Sequence, residues 1–178
     1  MKLTPMKRAA AIAGGSLLFF LLGRFAVIPS PVPTVNLCLQ YGLLAFWSVA
    51  FGPMAGGLAG LLGHICIDLT FGELCWSWIL ATAAFGALTG VLANITRIDP
   101  KGLTREDLIR FNLIQIAVHV VCWAGIAPVL EIVIYSESMD LIFAQGLTAA
   151  IANTVTTAIA GSGLLLAAKY FVFPEKSA

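Results

Sequence analysis

The chain has 178 residues, 60% of them apolar and only 11% charged, with a mean hydropathy of +0.96. That balance excludes an ordinary water-soluble globule and describes a protein whose solvent is a bilayer. The formal net charge is +1, the basic residues are spread over loops, and no Walker A sequence is present, so neither a nucleic-acid partner nor ATP hydrolysis by this chain is expected.

A spanning helix needs about 20 mainly apolar residues, and the hydrophobic runs predict six. The first covers residues 7–28. Its apolar run is long for a signal-peptide core and no clear cleavage site follows, so it reads as a retained helix. Pro29-Ser-Pro-Val-Pro33 then forces extended backbone. The second helix covers residues 35–51, Gly52-Pro53 makes a tight turn, and the third covers 53–71. The fourth covers 74–95, a polar stretch fills 96–110, and the fifth covers 111–134. After a short acidic loop the sixth covers 141–171. The expectation is a single domain, residues 1–178: an all-α integral membrane protein with six transmembrane helices. No repeat relates its halves, so the inverted-repeat plan of secondary transporters is not supported.

Charge orients the bundle. Lys2, Lys7, Arg8, Arg97, Lys101, Arg105, Arg110, Lys169 and Lys176 all fall on one side, leaving Arg24 as the lone basic residue opposite. The opposite loops carry Asp68, Glu73, Glu131, Glu137 and Asp140. The positive side is cytoplasmic, which puts the N and C termini in the cytoplasm.

Polar groups inside apolar runs are costly and mark functional places. His64 and Asp68 are four apart, on one helical face. Gln115, His119 and Trp123 form a second such stripe. Gln40 and Tyr41 open the second helix, Gln145 and Asn153 lie in the outer part of the sixth, and Arg24 ends the first. Their similar depth favours a polar cavity opening outward over helix–helix hydrogen bonding, which the pattern also allows. Trp76 and Trp78 flank Ser77 and suit either an interfacial aromatic belt or a stacking wall for a flat ring; Trp123 lies too deep for a belt. Ala9 with Ala13, Ala10 with Gly14 and Ala11 with Gly15 are small-residue pairs that let another helix approach closely, within the bundle or on another subunit. Gly52, Gly56 and Gly60 make a second stripe. Cys38, Cys66, Cys75 and Cys122 form no CxxC pair and read as small buried hydrophobes, with a Cys38–Cys75 disulfide as the lesser alternative.

Enzymatic readings fail. Ala160-Gly-Ser-Gly163 lacks the first glycine of the intramembrane serine-protease motif, and no paired aspartates mark an aspartyl protease. His64, Asp68 and His119 are acceptable metal ligands at undiagnostic spacing. No catalytic residue, metal or intrinsic cofactor is expected.

The segments Leu22-Gly-Arg-Phe25, Ile28-Pro-Ser-Pro-Val-Pro33, Gln40-Tyr41, Phe51-Gly-Pro53, Gly63-His64 with Asp68, Trp76-Ser-Trp78, Phe111-Asn112 with Gln115, Ala127-Pro128, Ile134-Tyr-Ser-Glu137 and Gln145-Gly146 with Asn153 cover nearly the whole chain. Together they resemble the S component of energy-coupling factor (ECF) transporters, the membrane-embedded substrate-binding subunit of vitamin-uptake ABC importers. The nearest group is that of the riboflavin S components. The resemblance implies a multi-pass protein of the prokaryotic cell membrane that takes its vitamin from outside. It implies as partners a transmembrane coupling subunit and two cytoplasmic ATPase subunits that supply ATP hydrolysis. In the family an alanine-x-x-x-alanine motif of the first helix docks on the coupling subunit, and Ala9 and Ala13 match it. Met1-Lys2 departs from the Met-His start of the nickel and cobalt S components.

The expected cargo is riboflavin or cobalamin, with a queuosine precursor as alternative; outside the family, the alternative is a stand-alone small-solute carrier. The candidate substrate-binding residues are Arg24, Gln40, Tyr41, His64, Asp68, Trp76, Trp78, His119, Trp123 and Asn153. An Arg24–Asp68 ion pair joining the first and third helices is a competing role for those two.

Overall fold

A computed structural model describes residues 4–29 and 36–172. Helix α1, Pro5–Phe25, starts where the Thr4 hydroxyl accepts the Lys7 amide and Pro5 occupies the first turn. It stops short of residue 28 because Val27–Pro29 forms strand β1, paired antiparallel with β2, Asn36–Cys38. This hairpin displaces the start of the second helix from 35 to 40. Three-residue strands are too short for alternation to show in sequence. The Pro29–Pro33 break falls largely on residues 30–35, outside the described residues.

Helix α2 is Gln40–Phe51 and α3 is Pro53–Leu69, joined at Gly52, whose φ of +89° suits glycine. Helix α4 is Trp76–Ile95. Helix α5, Arg105–His119, begins six residues before the apolar run, because a capping box between Thr104 and Asp107 sets its start. It passes through a π-helical segment, Val120–Ile126, into α6, Ala127–Tyr135, giving one rod of 31 residues. Pro128 has no N–H to return to the preceding turn, which favours the change of register there. Helix α7 is Met139–Ala167, continued by a π-helical turn, Ala168–Val172.

The described chain is therefore all-α apart from the small hairpin. Four rods are long and apolar enough to cross a membrane: Pro5–Phe25, Trp76–Ile95, Arg105–Tyr135 and Met139–Phe171. The six runs do not give six equal spans. Helix α3 has 17 residues and α2 only 12. At 1.5 Å per residue α2 rises about 18 Å, short of a hydrocarbon core of about 30 Å.

Contacts gather the described basic residues other than Arg24 at one end. The Arg8 guanidinium reaches the Met54 sulfur at 3.7 Å, and Lys169 Nζ donates to the Leu103 carbonyl at 2.8 Å. The interior centres on Phe19, Phe85, Phe111 and Trp123, all fully buried, while Leu17, Val133 and Ile159 face outward as a lipid-exposed surface requires. Helices α3 and α4 pack backbone to backbone. A Cβ on Gly86 would lie 2.6 Å from the Gly56 carbonyl carbon, and one on Gly90 would lie 2.6 Å from Pro53.

Gly86→Val is expected to cost about 1–3 kcal/mol by overpacking. Gly163→Ala, whose added methyl meets nothing within 4 Å, is expected to gain up to about 1 kcal/mol. Thermal unfolding in detergent measures both, and wild-type melting of Gly86→Val would contradict the contact.

Candidate functional site

At the end opposite the basic cluster, a cavity of about 350 Å3 opens among β2, the start of α2, the C-terminal part of α3, the start of α4, and α7. Five candidates line it: Gln40, Tyr41, His64, Trp78 and Asn153. Asn36, Cys38, Ile67, Gln145 and Ala149 complete the wall. Gln145, Ala149 and Asn153 recur every four residues, so one face of α7 supplies one wall, a signal legible in sequence. Asn36 and Cys38 arrive on the unforeseen hairpin.

His119 and Trp123 stand behind the cavity, fully buried. Trp78 stacks on Trp123 at 5.7 Å between centroids and 19° between planes, and Trp123 stacks on Phe85 at 6.3 Å and 26°. Trp78 is the cavity end of this stack. The indole N–H of Trp123 can only donate, so His119 Nδ1 accepts it, at 2.7 Å. Neutral His119 then carries its proton on Nε2 and donates it to Thr157 Oγ1, 3.1 Å away. Tyr41 packs edge-on against Trp123, with centroids 4.9 Å apart. The floor is thus rigid, and its polar atoms are spoken for.

The polar wall divides in two. His64 Nδ1 hydrogen-bonds Thr82 Oγ1 at 2.7 Å, and its Nε2 lies 3.5 Å from Asp68 Oδ1. By contrast, Gln40 Oε1 and Asn153 Oδ1 are buried with no partner. An unmet buried acceptor costs about 1–3 kcal/mol, and two of them belong to residues that line this one cavity. Gln115, also fully buried with an unpartnered amide, does not line this cavity.

Three candidates lie off the wall. Arg24 sits with its guanidinium 5.5 Å from the Phe25 ring and 5.0 Å from the Phe71 ring. The two ion pairs among the described residues are His64–Asp68 and Arg110–Asp107, so the Arg24–Asp68 pair does not form. Asp68 acts instead as a clamp: its Oδ2 accepts the Cys75 amide at 2.9 Å. Trp76 is 44% exposed, with its amide bonded to the Tyr135 hydroxyl, as an interfacial residue would be.

Glu131 departs from the acidic loop expected of it. It is buried in α6, accepting from Ser77 Oγ at 2.7 Å and from the Cys75 thiol at 3.2 Å. Asp68, Cys75, Ser77 and Glu131 therefore tie α3, α4 and α6 together beside the cavity. Burial pushes the Cys75 thiol up to about 11 and raises Cys38, so both stay protonated at neutral pH. All four cysteines are free, and no Cys38–Cys75 bridge exists. Among the described residues no three His, Cys, Asp or Glu side chains gather to hold a metal.

On α1 the small residues split between two faces. Ala11 and Gly15 are buried, and Gly15 packs against Trp47 and Ala59; Ala9 and Ala13 are exposed.

Residues 4–170 match the family model of the ECF-type riboflavin transporter, S component. The chain belongs to this family. A UPF0397 protein of Enterococcus faecalis is 42% identical over 163 residues, covering 91% of this chain and 89% of the relative. One from Exiguobacterium sp. is 40% identical over 161 residues, 90% and 88% of the two chains. One from Streptococcus agalactiae is 34% identical over 168 residues, 94% and 92%. Those names state no substrate. The chain is a multi-pass membrane protein and a transporter subunit that binds substrate, not an enzyme.

Asp68→Ala orphans the Cys75 amide and should lower the ligand-free stability by about 1–3 kcal/mol, read as a lower melting point. Arg24→Gln should cost less than about 1 kcal/mol. Equal losses in differential scanning fluorimetry would restore the Arg24–Asp68 pair.

Proposed function

We propose that this chain is the vitamin-capturing S subunit of an ECF-type ABC importer, with riboflavin as its cargo. All six rods form one membrane domain, with both termini in the cytoplasm and the cavity facing outward. The observation that carries the reading is that one cavity is lined by the Trp78 ring and by Gln40 and Asn153, whose amide oxygens are unpartnered. A flat tricycle continues the Trp78–Trp123–Phe85 stack. The imide N–H of an isoalloxazine donates to one of the amide oxygens, and the ribityl hydroxyls suit His64, Asn36 and Gln145.

Cobalamin is the second cargo. A corrinoid is several times larger than a 350 Å3 cavity and enters only if the hairpin stands aside. A queuosine precursor, with its flat deazapurine, suits the same stack as riboflavin. The energy comes from partners: a coupling subunit docked on the exposed Ala9–Ala13 face and two cytoplasmic ATPases. The buried Ala11–Gly15 face serves the bundle itself, which frees Ala9 and Ala13 for this contact.

Calorimetric titration of the detergent-purified chain with riboflavin and with cobalamin tests the cargo. Tight riboflavin binding that falls at least tenfold in Trp78→Ala supports the reading. Binding of cobalamin alone would overturn it in favour of the wider bowl, and silence toward both would point to the deazapurine.

Ala9→Leu with Ala13→Leu should leave ligand affinity within twofold of wild type but abolish both uptake and co-purification with the coupling subunit. Surviving association would reject the docking face. Ligand flux into liposomes holding this chain alone would favour the stand-alone carrier.

A further inference from the structure

A second cavity, of about 450 Å3, lies at the basic end of the bundle, beyond the reach of the outer site. Short helix α2 connects the two: its first residues line the outer cavity, and its last line this one. The walls are apolar, formed by Phe46, Ala50 and Phe51 of α2 and by Ile98 after α4. The rim is charged, with Arg97 and Lys101 against Asp99. Asp99 Oδ1 is engaged by the Lys101 amide at 3.0 Å, so this carboxylate braces the loop. An apolar chamber with a net positive mouth, at the basic end of a membrane-spanning bundle, matches an amphiphile with a negative head.

Arg97 occupies a position that its own backbone disfavours. Helix α4 ends in a Schellman cap: the Ile98 amide bonds the Ala93 carbonyl at 3.0 Å, and the Arg97 amide bonds the Asn94 carbonyl at 3.2 Å. The residue at that point is left-handed, with φ of +58°, and glycine is the usual choice there. The chain instead carries an exposed arginine at the cavity mouth. A guanidinium fork is suited to a phosphate, which it can grip with two donors.

We propose that this cavity binds an anionic phospholipid of the adjacent leaflet, with acyl chain carbons against Phe46 and Phe51 and the phosphate on Arg97. The site is separate from the cargo cavity and does not depend on which vitamin is carried.

The test is the thermal midpoint of the delipidated chain in neutral detergent. It is read alone, with phosphatidylglycerol, with phosphatidylcholine, and with free glycerol phosphate. Phosphatidylglycerol should raise the midpoint several degrees more than phosphatidylcholine, and glycerol phosphate should leave it unchanged. Arg97→Gly relieves the left-handed backbone, so its lipid-free midpoint should equal or exceed wild type while the phosphatidylglycerol increment disappears. Ala50→Phe, which fills the chamber, should also remove the increment and leave the outer cavity's ligand affinity unchanged. Equal shifts with both lipids, or an increment that survives in Arg97→Gly, would overturn the proposal. A full shift with glycerol phosphate would assign the site to a soluble phosphate instead.

Discussion

A polar group buried in a bilayer protein has no water to fall back on, and each one must find a partner or carry a cost. The structure follows from how that demand is met. Most polar atoms at the acidic end are paired within the bundle: His64 with Thr82, His119 with Thr157 and Trp123, Glu131 with Ser77, and Asp68 with the Cys75 amide. These bonds fix four helical rods around a common centre. Against this background the unpartnered oxygens of Gln40 and Asn153 stand out. Both residues line the cavity that Trp78 also lines, and on the proposed reading an incoming ligand completes them.

Close packing makes the rest possible. With little hydrophobic drive between helices in lipid, association depends on backbones coming near. Gly56 meets Gly86, and Gly15 sits under Trp47. This compact centre lets short α2 stop part-way, with a cavity at each of its ends. One lies among acidic loops and amides, the other under a basic rim. The two halves of the bundle thus carry different chemistry on one rigid frame.

Much of this was legible in sequence. Apolar run length gave the helices, and the distribution of Lys and Arg gave the two ends, because bilayer thickness and surface charge act directly on composition. The His64–Asp68 spacing showed a helical face whose His64 reaches the cavity, and Gln145 and Asn153, placed on the last helix, both line it. What sequence did not show depends on local geometry. The hairpin around Val27 and Cys38 is too short for a periodic signal, and it moved Asn36 and Cys38 from an expected helix to the cavity wall. The Thr104 capping box overrode hydropathy at the start of α5. Glu131 looked like a loop acid because one carboxylate at the end of an apolar run gives no hint of its partners. An Arg24–Asp68 pair was one role open to those two residues, yet the Arg24 guanidinium lies against Phe71 and Asp68 bonds within α3 and to the Cys75 amide before α4.

The central claim is that the unpartnered amides belong to the ligand and not to the fold. Asn153→Leu tests it most directly, since leucine has nearly the shape of asparagine without its polar atoms. The measurement is the thermal midpoint of the variant and of wild type, each with and without riboflavin. The account predicts a ligand-free midpoint at or above wild type and a lost riboflavin-induced rise. A lower ligand-free midpoint with the rise intact would contradict it, and would make Asn153 part of the bundle's own hydrogen bonding.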